Sequence, residues 1–218
     1  MPGLFIVFEG IDGAGKSTQV EMLRNALLSR GAGEVEICRE PGGTPLGESV
    51  RKVLLEPGAR LQPAAEVLLY AACRAQLVGE VIRPALARGS IVIGDRFSDS
   101  TLAYQGFGRG FPLGFLEQLN GLATGGLQPH LTVLLDLPAE RVFTRLAKKA
   151  DRIEREGVPF FQKVREGYLY LARRGGSRYL VFDALLPVEE VHRRIWRAVA
   201  DLLQTKSPLF SGPNRIDT

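Results

Sequence analysis

The feature that most constrains this chain is a short apolar run followed at once by a glycine-rich turn. Residues 4–9 (Leu-Phe-Ile-Val-Phe-Glu) predict a buried β-strand. Residues 10–17 come directly after it and fit the pattern G-x-x-x-x-G-K-[ST] at every fixed position, and residues 17–30 predict a helix. In this context backbone N–H groups can surround an anion, and the helix N-terminus adds partial positive charge. The pattern therefore predicts a phosphate-binding loop rather than a glycine-rich turn that binds nothing.

The residues of this loop have separate expected roles. Lys16 is expected to reach the β- and γ-phosphates of a nucleoside triphosphate, and Ser17 to place its hydroxyl on Mg²⁺. The predicted nucleotide-binding residues are Gly10, Ile11, Asp12, Gly13, Ala14, Gly15, Lys16, Ser17 and Thr18.

Length and composition narrow the class of protein. At 218 residues, 45% hydrophobic and 24% charged, the chain fits one α/β domain with a sizeable core. No secretory leader and no run of about 18 apolar residues is evident, so the sequence predicts a cytoplasmic protein without a membrane partner. Cys38 and Cys73 lack metal-ligand spacing, which agrees with a reducing compartment. His130 and His192 suggest neither a catalytic triad nor a zinc site.

A basic stretch in the second half has three possible explanations. Residues 141–178 contain eleven Lys or Arg and four Asp or Glu. The stretch could bind nucleic acid, form a solvated helix face, or act as a mobile lid that brings arginines onto the phosphates of a small ligand. It lacks the aromatic signatures of RNA-binding modules, so the lid is the preferred interpretation and no nucleic-acid partner is expected.

Strands and helices alternate along the chain, which predicts a parallel sheet with right-handed crossovers. We expect a three-layer α/β P-loop fold, with a five-stranded parallel sheet and helices on both faces. Residues 1–204 are expected to form a single domain with a lid at about 148–158, followed by a flexible C-terminal tail over 205–218. The predicted strands are 4–9, 34–38, 90–94, 131–137 and 179–183. The predicted helices are 17–30, 46–55, 63–88, 113–124, 138–149, 159–173 and 187–204.

Chemically useful side chains follow several of the predicted strands. Residues 39–44 (Arg-Glu-Pro-Gly-Gly-Thr) follow the second strand, Asp95 and Arg96 the third, and Asp136 the fourth. Ligands of such sheets bind beyond the carboxyl ends of the strands, so one site built from all these residues is expected. The chain has no Asn-Lys-x-Asp guanine-reading pattern and is short for a helicase or a transport motor. A small-molecule kinase that excludes water from its site is therefore favoured.

Five motifs together resemble bacterial thymidylate kinase, over about residues 3–204. They are Glu9-Gly-Ile-Asp-Gly-Ala-Gly-Lys-Ser-Thr18, Arg39-Glu-Pro-Gly-Gly43, Leu69-Tyr-Ala-Ala-Cys-Arg74, Asp95-Arg-Phe97 and Ser100-Thr-Leu-Ala-Tyr-Gln-Gly106. The resemblance implies transfer of the γ-phosphoryl group of ATP to dTMP, giving ADP and dTDP, with Mg²⁺ as cofactor. It also implies a homodimer.

The resemblance assigns an acceptor-binding role to several residues. Tyr70 would stack on thymine, where the family more often has Phe, and Arg74 would donate to a base carbonyl. Arg96 and Arg51 would hold the dTMP phosphate, and Tyr104 would crowd the sugar. The implied dTMP-binding residues are Asp12, Glu40, Pro41, Arg51, Tyr70, Arg74, Arg96, Ser100, Thr101, Tyr104 and Gln105.

The resemblance also implies which side chains supply positive charge to the transferring phosphoryl group. Some family members carry an arginine in the phosphate loop where this chain has Gly13, so lid arginines, Arg152 and Arg155, would stabilise the transferring group instead. The implied catalytic residues are Lys16, Asp12, Arg96, Arg152 and Arg155. For the metal, Ser17 and Asp95 are preferred, while Asp136 and Glu9 stay open as the carboxylate.

Two other functional classes are also consistent with the phosphate loop. Another nucleoside monophosphate or deoxynucleoside kinase would share the loop but use a different acceptor. A regulatory P-loop ATPase would hydrolyse ATP without an acceptor nucleotide.

Overall fold

A parallel five-stranded sheet lies at the centre of the structure, a computed structural model that describes residues 3–145 and 151–206. Its strands are β1 (Leu4–Glu9), β2 (Val35–Arg39), β3 (Ile91–Asp95), β4 (Leu131–Asp136) and β5 (Tyr179–Asp183). The strand order is β2-β3-β1-β4-β5, and every neighbouring pair is parallel. Strands β2 and β3 lie on one side of β1, and β4 and β5 lie on the other. Because the strand order reverses at β1, a crevice opens at its carboxyl end, where such folds bind ligands.

The strands form where the sequence is continuously apolar. All six residues of β1 and the first five of β4 are buried, as expected for parallel strands covered on both faces. Alternate residues of β1 pack on opposite sides of the sheet. Ile6 and Phe8 join the larger apolar cluster, which includes α1, whereas Phe5 and Val7 join a smaller cluster beside β3.

Helices cover both faces of this sheet. They are α1 (Lys16–Leu28), α2 (Pro45–Leu55), α3 (Pro63–Leu77), α4 (Arg83–Ala87), α5 (Ser98–Thr101), α6 (Leu113–Thr124), α7 (Val142–Arg145), α8 (Val158–Gly175) and α9 (Val188–Lys206). Two π-helical segments continue them, Val78–Ile82 between α3 and α4 and Leu102–Gly108 after α5. Short 3₁₀ turns occupy Ala139–Arg141, Glu154–Glu156 and Gly176–Arg178.

The predicted α/β P-loop architecture is confirmed, with three differences in its helices. The predicted helix over 63–88 is interrupted by a π-helical turn. A helical stretch over 98–108 was not predicted. The predicted helix over 138–149 is described only as a 3₁₀ turn and the short α7, because residues 146–150 lie outside the described part.

The predicted C-terminal tail and the predicted lid are each only partly described. Helix α9 reaches Lys206, two residues into the segment predicted as a tail, and residues 207–218 lie outside the described part. Of the predicted lid, residues 151–158 are described. Within residues 3–145 and 151–206, no helix combines the length and apolar character needed to cross a bilayer.

Candidate active site

The phosphate loop connects β1 to α1 through backbone that only glycine adopts easily. Gly10, Gly13 and Gly15 all have positive φ, at 138°, 75° and 92°. A Cβ on Gly10 would lie 2.5 Å from the carbonyl oxygen of Leu135, so the loop could not pass this close to β4 with a side chain there. The glycine pattern in the sequence is therefore required by the path of the backbone.

Lys16 is folded back over its own loop. Its Nζ donates to the carbonyl oxygens of Gly10 and Ile11, both at 3.0 Å, and the side chain is buried. Burial, followed by the nearby charge of Arg96, lowers the pKa of Lys16 to about 8. An anion in the loop would favour the protonated form of this amine.

The first turn of α1 and the end of β3 together provide a small oxygen-rich site. Ser17 Oγ donates to Asp95 Oδ2 at 2.8 Å. The other two candidate carboxylates are already occupied: Asp136 forms a two-point ion pair with Arg165 at 2.6 and 2.8 Å, and Glu9 is fully buried. Among the described residues, no cluster of three His, Cys, Asp or Glu side chains could hold a metal. A hydroxyl and one carboxylate do fit Mg²⁺, which usually takes few protein ligands and completes its shell with phosphates and water.

A cleft beside the loop gathers the side chains that the motifs predicted for the acceptor. Ten of the eleven predicted dTMP-binding residues line it, and Arg74 is the exception. The full lining is Asp12, Glu40, Pro41, Arg51, Leu55, Tyr70, Arg96, Ser100, Thr101, Tyr104, Gln105, Asp151 and Ile153. Five separate stretches of sequence therefore meet in one cleft, next to the phosphate loop.

Arg96 links the phosphate loop to this cleft. Its Nη2 donates to Asp12 Oδ1 at 2.6 Å and to the Tyr104 hydroxyl at 3.1 Å, and Tyr104 donates to Asp12 Oδ2 at 2.7 Å. Burial alone would raise the pKa of Asp12, but the charges of Arg96 and Lys16 lower it. Arg96 itself has a φ of 74°, unusual for a residue with a side chain, and such strain is often found at functional sites.

Glu9 lies where the loop and the cleft meet. Its carboxylate accepts hydrogen bonds from the Phe97 backbone N–H at 2.8 Å, Ser100 Oγ at 2.7 Å and the Tyr168 hydroxyl at 2.9 Å. Burial, followed by the negative charge of Asp99, raises its pKa to about 7. With its acceptor positions used by the protein, Glu9 positions neighbouring groups rather than offering a free metal ligand.

Arg74 supports the wall of the cleft from behind. It is 1% exposed, and all five of its N–H groups are used. Two reach Glu40, at 3.2 and 2.5 Å, and the others reach Thr101 Oγ1 at 2.9 Å, Asn120 Oδ1 at 2.6 Å and the Phe97 carbonyl at 3.0 Å. The expected direct donation from Arg74 to a base would require one of these bonds to be released.

The opposite wall of the cleft combines an aromatic ring and a cation. Tyr70 is half-buried on α3, and burial raises the pKa of its hydroxyl well above the ordinary value. Arg51 on α2 donates to the Pro41 carbonyl at 2.8 Å. These positions are compatible with stacking on a base and with pairing to a phosphate.

The described part of the predicted lid lies against the cleft, which Asp151 and Ile153 help to line. Arg152 pairs with Glu66 at 2.7 Å and donates to the Leu54 carbonyl at 2.9 Å. Arg155 donates to the Pro57 carbonyl at 3.4 Å. Both arginines are thus held at the C-terminal end of α2 and the start of α3.

Four residues of the site carried no clear signal in the sequence. Glu66, which is buried, pairs with the partly buried Arg109 at 2.7 Å under the cleft, and Tyr168 reaches Glu9 and Arg96 from α8. Arg145 lies beside Gly13, the position at which some family members carry an arginine. Its Nη1 donates to the Gly13 carbonyl at 3.3 Å, and its Cβ would lie 3.2 Å from a Cβ added at position 13. A basic residue soon after the fourth strand is the only hint that could have found it.

Comparison with known proteins decides the family. The sequence model of the family described as thymidylate kinase matches residues 8–195. This chain belongs to the thymidylate kinase family. The thymidylate kinase of Desulforudis audaxviator is 54% identical over 219 residues, covering 100% of this chain and 99% of that protein. The thymidylate kinase of Deinococcus radiodurans is 50% identical over 201 residues, covering 91% and 97%.

Solved structures agree with the sequence comparison. The crystal structure of thymidylate kinase from Ehrlichia chaffeensis matches with a TM-score of 0.75 and 33% identity, over 91% of this chain and 99% of that one. The predicted resemblance to the thymidylate kinase family, the P-loop fold and the nature of the chain as a kinase are therefore confirmed.

Proposed function

We propose that this chain transfers the γ-phosphoryl group of ATP to dTMP, giving ADP and dTDP. Membership of the thymidylate kinase family supports the reaction, and one observation supports the site. Asp12 belongs to the phosphate loop, yet its carboxylate pairs with Arg96 and Tyr104 in the neighbouring cleft. A donor loop and an acceptor cleft that share a residue hold two nucleotides side by side, as phosphoryl transfer between them requires.

On the donor side, the chain supplies backbone N–H groups and two cations. The loop from Gly10 to Thr18 surrounds the phosphates of ATP, and Lys16 leaves its carbonyl partners to reach the β- and γ-phosphates. Arg145, already against the loop at Gly13, adds positive charge on the same side. Ser17 and Asp95 would hold Mg²⁺, which supplies charge neutralisation for the transferring group when it is bound.

On the acceptor side, the residues divide between phosphate, sugar and base. Arg96 and Arg51 offset the repulsion between the two phosphate groups, Tyr104 limits the space beside the sugar, and Tyr70 stacks on the base. The remaining base contacts are made by Thr101 and Gln105, with Arg74 acting from behind through Thr101. Glu40, Pro41, Ser100 and Asp12 complete the cleft.

The lid arginines complete the charge balance of the transfer. Arg152 and Arg155 act on the transferring group after exchanging their present partners, the Glu66 carboxylate and backbone carbonyls, for phosphate oxygens. No strong general base is needed, because the attacking group is an anionic phosphate oxygen. Positioning and charge stabilisation supply the rate.

A panel of acceptors tests the proposed reaction. ADP formation is measured with ATP, Mg²⁺ and each of dTMP, dUMP, AMP, CMP and GMP. We expect dTMP to be the best acceptor. If AMP or GMP is the best acceptor and dTMP is inert, the chain is another nucleotide kinase. If ADP forms at the same rate without any acceptor, it is an ATPase.

We also propose a homodimer that forms through the outer face of α3. The exposed residues of this helix include Ala64, Leu68, Ala72 and Ala75, which lie three or four positions apart on one apolar face, and Gly79 continues this face in the π-helical segment that follows. Neighbouring helices add Val53 and Leu122, the latter 82% exposed. Light scattering after size exclusion should give twice the 23.9 kDa chain mass, and Leu68→Glu should give the monomer. A monomeric unmodified protein would reject the proposal.

A cytoplasmic location is proposed on the basis of the two cysteines. Cys38 and Cys73 are both buried free thiols rather than a disulfide, which suits a reducing compartment. Cell fractionation with an antibody against the chain tests this, and recovery in an extracellular fraction would reject it.

A further inference from the structure

A buried carboxylate lies directly behind the base-contacting end of the cleft. Glu66 on α3 is 1% exposed and does not line the cleft itself. Its Oε1 accepts from Gln105 Nε2 at 2.9 Å and from Arg109 Nε at 2.7 Å, and its Oε2 pairs with Arg152 Nη2 at 2.7 Å. One carboxylate thus connects the cleft residue Gln105 with the 151–156 segment that covers the cleft.

Two arginines lie against this carboxylate and favour its ionised form. Burial would raise the pKa of Glu66, but hydrogen bonds from Arg109 and Gln105, together with the charges of Arg109 and Arg152, lower it below its ordinary value. An ionised carboxylate can only accept hydrogen bonds. The amide of Gln105 must therefore turn its NH₂ group toward Glu66, which leaves the amide oxygen as its remaining polar atom for the cleft.

Thr101 is oriented in the opposite sense, so that it presents a donor rather than an acceptor to the cleft. Arg74 has only donors, and its Nη1 lies 2.9 Å from Thr101 Oγ1. The Thr101 oxygen must accept this bond, which leaves the hydroxyl proton for another partner. Thr101 and Gln105 thus offer the cleft one donor and one acceptor, each fixed by a buried charged residue behind it.

A donor at Thr101 and an acceptor at Gln105 together distinguish one pyrimidine base from another. Thymine and uracil present an N3–H donor next to carbonyl oxygens, whereas cytosine presents an unprotonated N3 next to an amino group. The Gln105 oxygen can accept from N3–H of thymine but meets a lone pair on cytosine N3. A site built to pair with a substrate N–H rejects an analogue that lacks it.

We propose that Glu66 is a positioning residue for base selection: its carboxylate fixes the amide of Gln105 so that the amide oxygen reads the acceptor base. The same carboxylate also holds Arg152, and with it the 151–156 segment, against the cleft until Arg152 exchanges it for phosphate oxygens. This inference rests on the proposed acceptor role of the cleft.

The test compares acceptors rather than overall activity. Glu66→Gln replaces an acceptor-only group with an amide that can face Gln105 either way, so the Gln105 amide is no longer held in one orientation. kcat/KM is measured for dTMP, dUMP and dCMP in the unmodified protein and the variant. We expect the dTMP-to-dCMP ratio to fall on the order of tenfold, and the dTMP-to-dUMP ratio to stay unchanged because both bases carry N3–H.

Two further variants separate positioning from structural damage. Glu66→Asp keeps a negative charge for Arg109 and Arg152 but draws the carboxylate back from Gln105, so it should fold and also lose dTMP-to-dCMP selectivity. Glu156→Gln is the matched control, since Glu156 pairs with Arg109 at 2.8 Å rather than with Gln105. It should leave both ratios unchanged.

A double variant tests whether Glu66 acts through Gln105. Once Gln105→Met has removed the amide, Glu66→Gln should not change the dTMP-to-dCMP ratio further. Equal losses for all three acceptors would show a merely structural role and overturn the inference. If the unmodified protein does not prefer dTMP to dCMP, the proposed base-reading role of the cleft fails. If it does and the Glu66 variants keep that preference, only the inference fails.

Discussion

The phosphate loop and the acceptor cleft hold their ligands by different means. The loop is nine consecutive residues, Gly10 to Thr18, and the binding groups it offers are mostly backbone N–H. The cleft is built from side chains of five separate stretches, joined by contacts such as Arg96–Asp12 across 84 positions and Arg74–Glu40 across 34. One region is local in sequence and the other depends on the complete fold.

This difference has an energetic counterpart. Backbone N–H groups bind any polyphosphate, and they need only the glycine conformations that the loop already has. Buried ion pairs such as Arg74–Glu40 are costly to desolvate and contribute little net stability. Their value here lies in fixed orientation, so discrimination between substrates is expected in the cleft and not in the loop.

Lys16→Ala should have the largest effect, because it removes the only cationic side chain among residues 10–18. We expect kcat/KM to fall on the order of a thousandfold, as for other lost charge contacts to a transition state. Steady-state kinetics with ATP and dTMP measures the loss. Calorimetric titration with dTMP is the control, since the acceptor cleft should still bind. Near-normal turnover would rule out the loop mechanism.

The lid arginines test which region the 151–156 segment serves. Arg152→Ala combined with Arg155→Ala should lower kcat on the order of a hundredfold, with a smaller change in KM for dTMP, since a transition-state contact is lost. The donor-side counterpart is Arg145→Ala, which should act mainly through ATP because its guanidinium touches Gly13. A pure rise in KM for dTMP in the double variant would instead assign the segment to acceptor binding.

Arg96→Lys examines the contact between the two regions. Lysine keeps the charge but lacks the fork that reaches Asp12, Tyr104 and Tyr168 together. We expect kcat/KM for dTMP to fall about thirtyfold, within the range for breaking a partly buried hydrogen-bonded pair. The affinity for an ATP analogue in the absence of dTMP should change little. An equal loss for both ligands would mean that Arg96 merely holds the loop in shape.

The same contrast explains what the sequence could predict. All five strands lie within one residue of their predicted bounds, because continuous apolar runs are typical of strands buried on both faces. The helical stretch over 98–108 was missed, since its second part is π-helical and contains two glycines. Its partners, chiefly α8, are distant in sequence.

For the site, the motifs located the cleft but not the support behind it. The predicted acceptor residues carry recognisable chemistry in recognisable patterns. Glu66 and Tyr168 instead look like ordinary helix residues until the fold brings Gln105 and Glu9 against them. Likewise, one of the five hydrogen bonds of Arg74 goes to Asn120, 46 positions away, and no local sequence pattern connects these two residues.

Glu9 should give the smallest effect, because it joins the two regions without touching either substrate. Its pKa is raised from 4.5 to about 7, so the folded protein binds its proton more tightly than the unfolded chain does. This contribution to stability is fully present below about pH 4.5 and is lost as the pH rises toward 7. At one unit of pKa per about 1.4 kcal/mol, the loss between about pH 5 and pH 8 is about 2.5 kcal/mol.

Glu9→Gln removes this pH-dependent contribution to stability, because a neutral amide does not titrate. The NH₂ of the new amide can donate to the hydroxyls of Ser100 and Tyr168. Unfolding free energies from urea melts should show the variant gaining on the unmodified protein as the pH rises. Glu34→Gln is the control: Glu34 is exposed and its pKa is lowered, so its titration lies below this range. A pH-independent difference for Glu9→Gln would mean that Glu9 is ionised throughout, and that the donor and acceptor regions are joined by a permanent charge.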